Sequence, residues 1–198
     1  PIAALSRGYG SDPTLVSAKV SAFIRGMEAA DVATAVKHFP GLGAVTGNTD
    51  FATKVVDTVT TADSPLLASF NAAVAAKAGA VMVSTAYYDK IDPGNPAAFS
   101  PAVIDLLRSN VGFQGVVITD DLGVAKAVAS VPASQRLLRA IEAGNDMAIT
   151  TNAALAPAML DGLLTEAAAS PALAAKIQAA TARVLTLKAS LGLVECQT

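Results

Sequence analysis

Four places in the chain carry side chains whose types suit polar-ligand chemistry. Lys37-His38 ends a compact β-capable stretch, Val32–Phe39, just before a Pro-Gly-Leu-Gly turn. A lone His is more often a satisfied structural residue than a ligand. A Lys-His pair at a strand end, however, is a typical contact point for ligands in α/β folds. Asp120-Asp121 follows the apolar run Gly115–Thr119. Two adjacent carboxylates are costly to bury unpaired. They read as an N-cap pair favouring a helix dipole, or as a divided pair. In the second case one Asp faces a pocket and its neighbour supports the turn, because successive residues point to different sides. Asn48-Thr49-Asp50 reads as an Asx-type turn, or as a carboxylate carried over a pocket by a long loop. Arg7 alone reads as a surface charge.

The elements that must position these groups alternate. Asp12-Pro13 starts a helical pattern to Ala30, and Ser64-Pro65 and Ser100-Pro101 start helices over Leu66–Ala78 and Ala102–Ser109. Further helices are expected at Ala133–Ala143, Ala153–Ala168 and Leu173–Ser190. Short apolar strands are expected at Val32–Phe39, Val81–Thr85, Gly115–Thr119 and Asp146–Thr150, with a partial strand at Ile2–Leu5. Gly41–Asp63 and Tyr87–Phe99 read as loops. Four short strands alternating with helices predict a parallel sheet with helical crossovers, either doubly wound or part of a (β/α)8 barrel. Both place ligand contacts at the carboxyl ends of strands.

The chain has 198 residues, 53% of them hydrophobic and 15% charged. That excludes a disordered or collagen-like chain. One Cys excludes an internal disulfide and a Cys-based zinc site, and one His excludes a multi-histidine metal site. No metal or cofactor is expected, and nothing resembles a G-x-G-x-x-G fingerprint or a P-loop. A net charge of −2 with no Lys/Arg cluster argues against nucleic acid and acidic membranes as partners. No apolar run reaches the roughly 18 residues of a membrane span. Residues 1–198 are read as one partial domain. Its start at Pro1 reads as a chain processed, truncated or cut out of something longer.

Five segments in order resemble glycoside hydrolase family 3, in particular its bacterial β-N-acetylglucosaminidase branch. Ser6–Pro13 (SRGYGSDP) resembles the family's R-S-[FY]-x-x-D-P segment, and Lys37–Asp50 (KHFPGLGAVTGNTD) its KHFPGHG loop. Tyr88–Pro101 follows, then Gly112–Gly123 (GFQGVVITDDLG), similar to the active-site signature, and Ala143–Ile149 (AGNDMAI). The resemblance implies a (β/α)8 TIM-barrel-type catalytic domain, of which this chain is the second half. A second chain or a missing N-terminal segment would then complete the barrel.

The resemblance also implies roles. Asp120 matches the nucleophile and Asp121 its non-nucleophilic neighbour. Lys37, His38 and Arg7 match residues that hold sugar hydroxyls. The implied activity is a retaining exo-glycosidase acting on β-linked N-acetylglucosamine or a related β-hexoside. The chain departs from the branch at its Asp-Ser-His dyad, where Asn48-Thr49-Asp50 stands and the acid/base His is absent, and at Leu42, where the family has His. Asp50 becomes the candidate acid/base, a role a carboxyl group fills when its surroundings keep it protonated. Two other readings stand beside this one. The first is a degenerate member that binds a glycan or muropeptide without hydrolysis. The second is a doubly wound binding protein that shares the rhythm by chance.

Overall fold

The computed structural model describes residues 2–194. In chain order the strands are β1 (Ala35–Phe39), β2 (Val56–Asp57), β3 (Ala80–Val83), β4 (Tyr87–Tyr88), β5 (Asp92–Pro96), β6 (Val116–Asp121) and β7 (Met147–Ile149). The helices are α1 (Pro13–Glu28), α2 (Ala68–Ala75), α3 (Pro101–Asp105), α4 (Ala133–Ala143), α5 (Ala156–Ala169) and α6 (Pro171–Ser190). Capping accounts for several starts. Asp12 accepts from the Thr14 N–H ahead of Pro13, Ser100 from the Val103 N–H, and Ser170 from the Leu173 N–H.

The main sheet has the order β1-β3-β6-β7 and all three pairings are parallel. This is the adjacency in chain order that the alternating pattern predicts. Val81, Val83, Val116 and Val117 are buried at 1% exposure or less, as strands covered on both faces require. Phe39 and Phe70 meet edge to face at 5.1 Å between ring centres, joining β1 to α2. Ile24 of α1 packs on Ala73 and Ala76, and α4, α5 and α6 share Leu138, Ile141, Leu163 and Leu173.

Three expectations are corrected. Residues Ala3–Leu5 form a 3-10 turn rather than a partial strand. The segment read as a loop over Tyr87–Phe99 contains β4 and β5, which join β2 in a second, three-stranded sheet. Its prolines sit where no ladder N–H is needed, and its Tyr88 side chain is buried at 1% exposure. The third helix is shorter than expected and continues as a π-helical turn over Leu106–Asn110.

The main sheet does not close among the described residues: β1 and β7 each have one neighbour. Large apolar side chains are exposed on elements that precede β1 and follow β6 in the chain. Leu15 and Phe23 on α1 and Val32 lie ahead of β1, and Met147 on β7 with Leu160 and Leu164 on α5 follow β6. Open edges of this kind invite pairing. No described helix is long and apolar enough to cross a membrane.

The amino end of the sheet is tied by one carboxylate. Asp146, just before β7, is fully buried. Its Oδ2 accepts from Arg108 Nη2 at 2.7 Å and from the Val117 N–H at 2.8 Å, and its Oδ1 accepts from Arg183 Nε at 2.8 Å. Its neighbour Asn145 donates through Nδ2 to the carbonyls of Ala98 and Ala140. Removing one partner of a buried ion cluster leaves uncompensated charge. Asp146→Asn is expected to cost about 3–5 kcal/mol, measured by urea unfolding of the full-length protein against wild type.

Candidate functional site

Two irregularities at strand ends build the site. Along β1, Lys37 lies opposite Met82 but Phe39 opposite Val83, so His38 is an extra residue in the ladder. A regular strand would send Lys37 and His38 to opposite faces. The bulge re-aims them, and both line one cleft. Along β6, Ile118 lies opposite Met147 and Asp121 opposite Ile149, which again leaves one extra residue. There Asp120 faces the cleft and Asp121 turns away from it.

The cleft is lined by Arg7, Lys37, His38, Asn48, Asp50 and Asp120, with Ile2 and Leu42 as its apolar wall. It therefore brings together Arg7, Lys37, His38, Asn48, Asp50 and Asp120 at the carboxyl ends of the strands, and leaves Asp121 outside.

The two adjacent carboxylates have different work. Asp121 Oδ1 accepts from the Gly123 and Thr151 N–H groups, both at 2.9 Å. Its Oδ2 accepts from the Val124 N–H at 2.9 Å and the Thr151 hydroxyl at 3.0 Å. Burial pushes the Asp121 pKa up, but these donors outweigh it and hold the group below the ordinary carboxylate range. Among the described residues, Asp120 takes only the Asp121 N–H, at 2.8 Å on Oδ1. Its Oδ2 lies 3.5 Å from His38 Nε2.

His38 is buried at 7% exposure. That burial lowers its pKa from 6.5 to about 4; Asp120 opposes the shift, and the charges of Lys37 and Arg7 reinforce it. The imidazole is thus neutral at physiological pH and does not form an ion pair with Asp120.

The loop after β1 is fixed by several contacts. Asn48 Oδ1 accepts from the Asp50 N–H at 2.9 Å, an Asx turn. Across the cleft, the Thr49 carbonyl accepts from the Ala127 N–H at 3.1 Å and the Asp50 carbonyl from the Lys126 N–H at 3.3 Å. The loop bearing Asp50 is thereby stitched to the segment that follows β6. Tyr88 donates its hydroxyl to the Gly41 carbonyl at 2.7 Å. Buried Asp57 accepts from the Val59 and Thr60 N–H groups and the Thr60 hydroxyl.

Tyr88, Asp57 and Arg136 were not singled out by sequence. Arg136 is buried on α4 and donates to the carbonyls of Leu122, Gly123 and Val131, so it holds the loop that follows Asp121. Its only sequence signal is a charged residue on the apolar face of a helix. Asp57 had a clearer one, the spacing Asp-x-x-Thr that suits a side-chain-capped turn.

The family profile described as the glycosyl hydrolase family 3 N terminal domain matches residues 2–187. A beta-hexosaminidase of Stenotrophomonas maltophilia (strain R551-3) is 36% identical over 149 residues, which are 73% of this chain and 43% of that protein. The beta-hexosaminidase LpqI of Mycobacterium tuberculosis is 31% identical over 191 residues, 92% of this chain and 48% of that protein. The crystal structure of a beta-N-acetylhexosaminidase from Beutenbergia cavernae superposes with a TM-score of 0.93 at 44% identity, covering 96% of this chain and 56% of that one. The chain spans about half the length of the relatives it matches.

The neutral His38 has a measurable signature. An unfolded His titrates near 6.5 and the folded one near 4. Between these values the unfolded state binds the proton and the folded state does not. Stability therefore falls as pH drops from 6.5 to 4. The expected contribution is on the order of 3 kcal/mol at most. Thermal melts of the full-length protein should show a steeper acid-side loss for wild type than for His38→Gln.

Proposed function

The chain belongs to glycosyl hydrolase family 3, and from that premise we propose that its protein is a retaining exo-glycosidase. Its substrate is β-linked N-acetylglucosamine or a related β-hexoside at the end of a glycan or cell-wall fragment. The fold is of the (β/α)8-barrel type, and this chain holds four adjacent parallel strands of it. In this reading the open edges at β1 and β7 are covered by further βα units, from a preceding segment or a second chain.

The observation that carries the proposal is the division between the two carboxylates. Asp121 commits both oxygens to four donors, whereas Asp120 Oδ2 faces the cleft with His38 Nε2 3.5 Å away and no hydrogen bond to it among the described residues. Asp120 attacks the anomeric carbon, and the bond from that carbon to the leaving oxygen breaks. Asp50 gives its proton to that oxygen. Water then loses a proton to Asp50, attacks the anomeric carbon, and breaks the ester to Asp120. His38, Lys37 and Arg7 hold the sugar hydroxyls. Because His38 is neutral, it offers a hydrogen bond without neutralising the nucleophile.

Kinetics on the full-length protein test each role. Asp120→Asn is expected to abolish turnover of every substrate. Asp50→Asn should lower kcat/KM by roughly 10²–10⁴-fold on substrates with poor leaving groups and far less on activated aryl glycosides. Azide should partly restore the variant on the activated substrate, since it attacks the intermediate without a base. Equal losses on both substrate classes with no azide rescue would make Asp50 a structural residue. Sugar binding without turnover by wild type would mark a binding protein.

A further inference from the structure

We propose that Leu42 is a specificity-determining residue. With Ile2 it forms an apolar seat inside the cleft for the methyl end of a short N-acyl group, and it sets how long that acyl group can be. The inference rests on the reading of the protein as a β-hexoside hydrolase and narrows its substrate to sugars that carry an acetamido group.

Leu42 has two surroundings. It lines the cleft together with Arg7, Lys37, His38 and Asp120. It also belongs to the main buried cluster, with Phe39, Val45, Val55 and Tyr88. Ile2 repeats the pattern, lining the cleft and packing against the same cluster. The backbone ahead of Leu42 is fixed. Gly41 has a φ of +136°, a conformation that favours glycine, and its carbonyl accepts from the Tyr88 hydroxyl at 2.7 Å. A side chain backed by close-packed core yields little when a larger group presses on it. The KHFPGHG loop of the family has His where this chain has Leu42, so an apolar group stands in the cleft in place of a polar one.

The rest of the lining decides what meets this wall. Arg7, Lys37 and His38 suit hydroxyls, and Asp50 and Asp120 serve the anomeric carbon in the proposed reaction. A sugar hydroxyl turned against Leu42 and Ile2 loses its water and gains no partner, which is costly. A methyl group in the same place gains apolar contact and gives up nothing polar. On an N-acetylated hexose the acyl methyl is the one substituent of that kind. The amide that carries it needs a donor for its carbonyl oxygen. Gly47 and Asn48 also line the cleft, and their N–H groups have no acceptor among the described residues. The loop that holds Leu42 thus keeps backbone donors to spare for an acyl oxygen.

The test compares three aryl β-glycosides on the full-length protein: those of N-acetylglucosamine, N-propionylglucosamine and glucose. Wild type is expected to cleave the first at least about tenfold better in kcat/KM than either of the others. Leu42→Ala opens the wall and should raise the N-propionyl to N-acetyl ratio of kcat/KM about tenfold. Leu42→Val, which keeps more of the core and covers the case in which the alanine variant does not fold, should raise it about threefold. The ratio is taken within one preparation, so a partly unfolded sample does not change it. Equal cleavage of the glucoside and the N-acetylglucosaminide by wild type, or a ratio that neither variant raises, overturns the proposal and leaves the hydrolase reading standing. If wild type hydrolyses none of the three, calorimetric titration with the methyl β-glycosides of N-acetylglucosamine and N-propionylglucosamine decides. Tighter binding of the N-acetyl sugar by wild type, with the gap closed by either Leu42 variant, upholds the seat although the hydrolytic reading has failed. No gap in wild type, or no binding of either sugar, overturns it.

Discussion

Two carboxylates side by side at the end of a buried strand repel each other and resist desolvation, and the rest of the site depends on how that conflict is resolved. The chain resolves it by satisfying one completely. Asp121 receives four donors from two different loops, which pins the turn after β6 to the turn after β7. Gly123 makes this possible, because a Cβ there would collide with the Thr150 hydroxyl. Once Asp121 is anchored, Asp120 is directed into the cleft and needs no further support. Arg136 then fixes the same turn from behind through three carbonyls.

The two ends of the sheet treat buried charge in opposite ways. At the amino end, Asp146 is neutralised by two arginines and sealed from water. At the carboxyl end, Asp120 faces a neutral imidazole and remains partly accessible. The first arrangement binds β6, β7, α6 and the turn after α3 into one body. The second leaves a charge whose partner must come from outside. Parallel α/β architectures separate stability from chemistry along the strand axis in the same way.

Much of this was legible in the sequence. The four strands of the main sheet announce themselves as short apolar runs between helical patterns, and polar residues at their carboxyl ends mark the cleft. The bulges at His38 and before Asp121 were not legible. They arise from register against neighbouring strands, and that register is a property of the pairing. The second sheet was missed because its segments are rich in Pro, Gly and Asp, whose local preference is for turns. Tertiary packing around Tyr88 overrides that preference. Arg136 was not singled out, because nothing local tells which carbonyls will surround it.

The seam between the Asp50 loop and the segment after β6 is made of main-chain groups: the carbonyls of Thr49 and Asp50 against the N–H groups of Ala127 and Lys126. No side chain at position 50 takes part in holding position 50 in place. The carrier is thus independent of its cargo. A lineage can exchange one proton-handling group for another at that position, or lose the group altogether, without first rebuilding the loop that delivers it. Change at this point is open to drift in a way that change at Asp121, whose side chain is itself the fastening, is not.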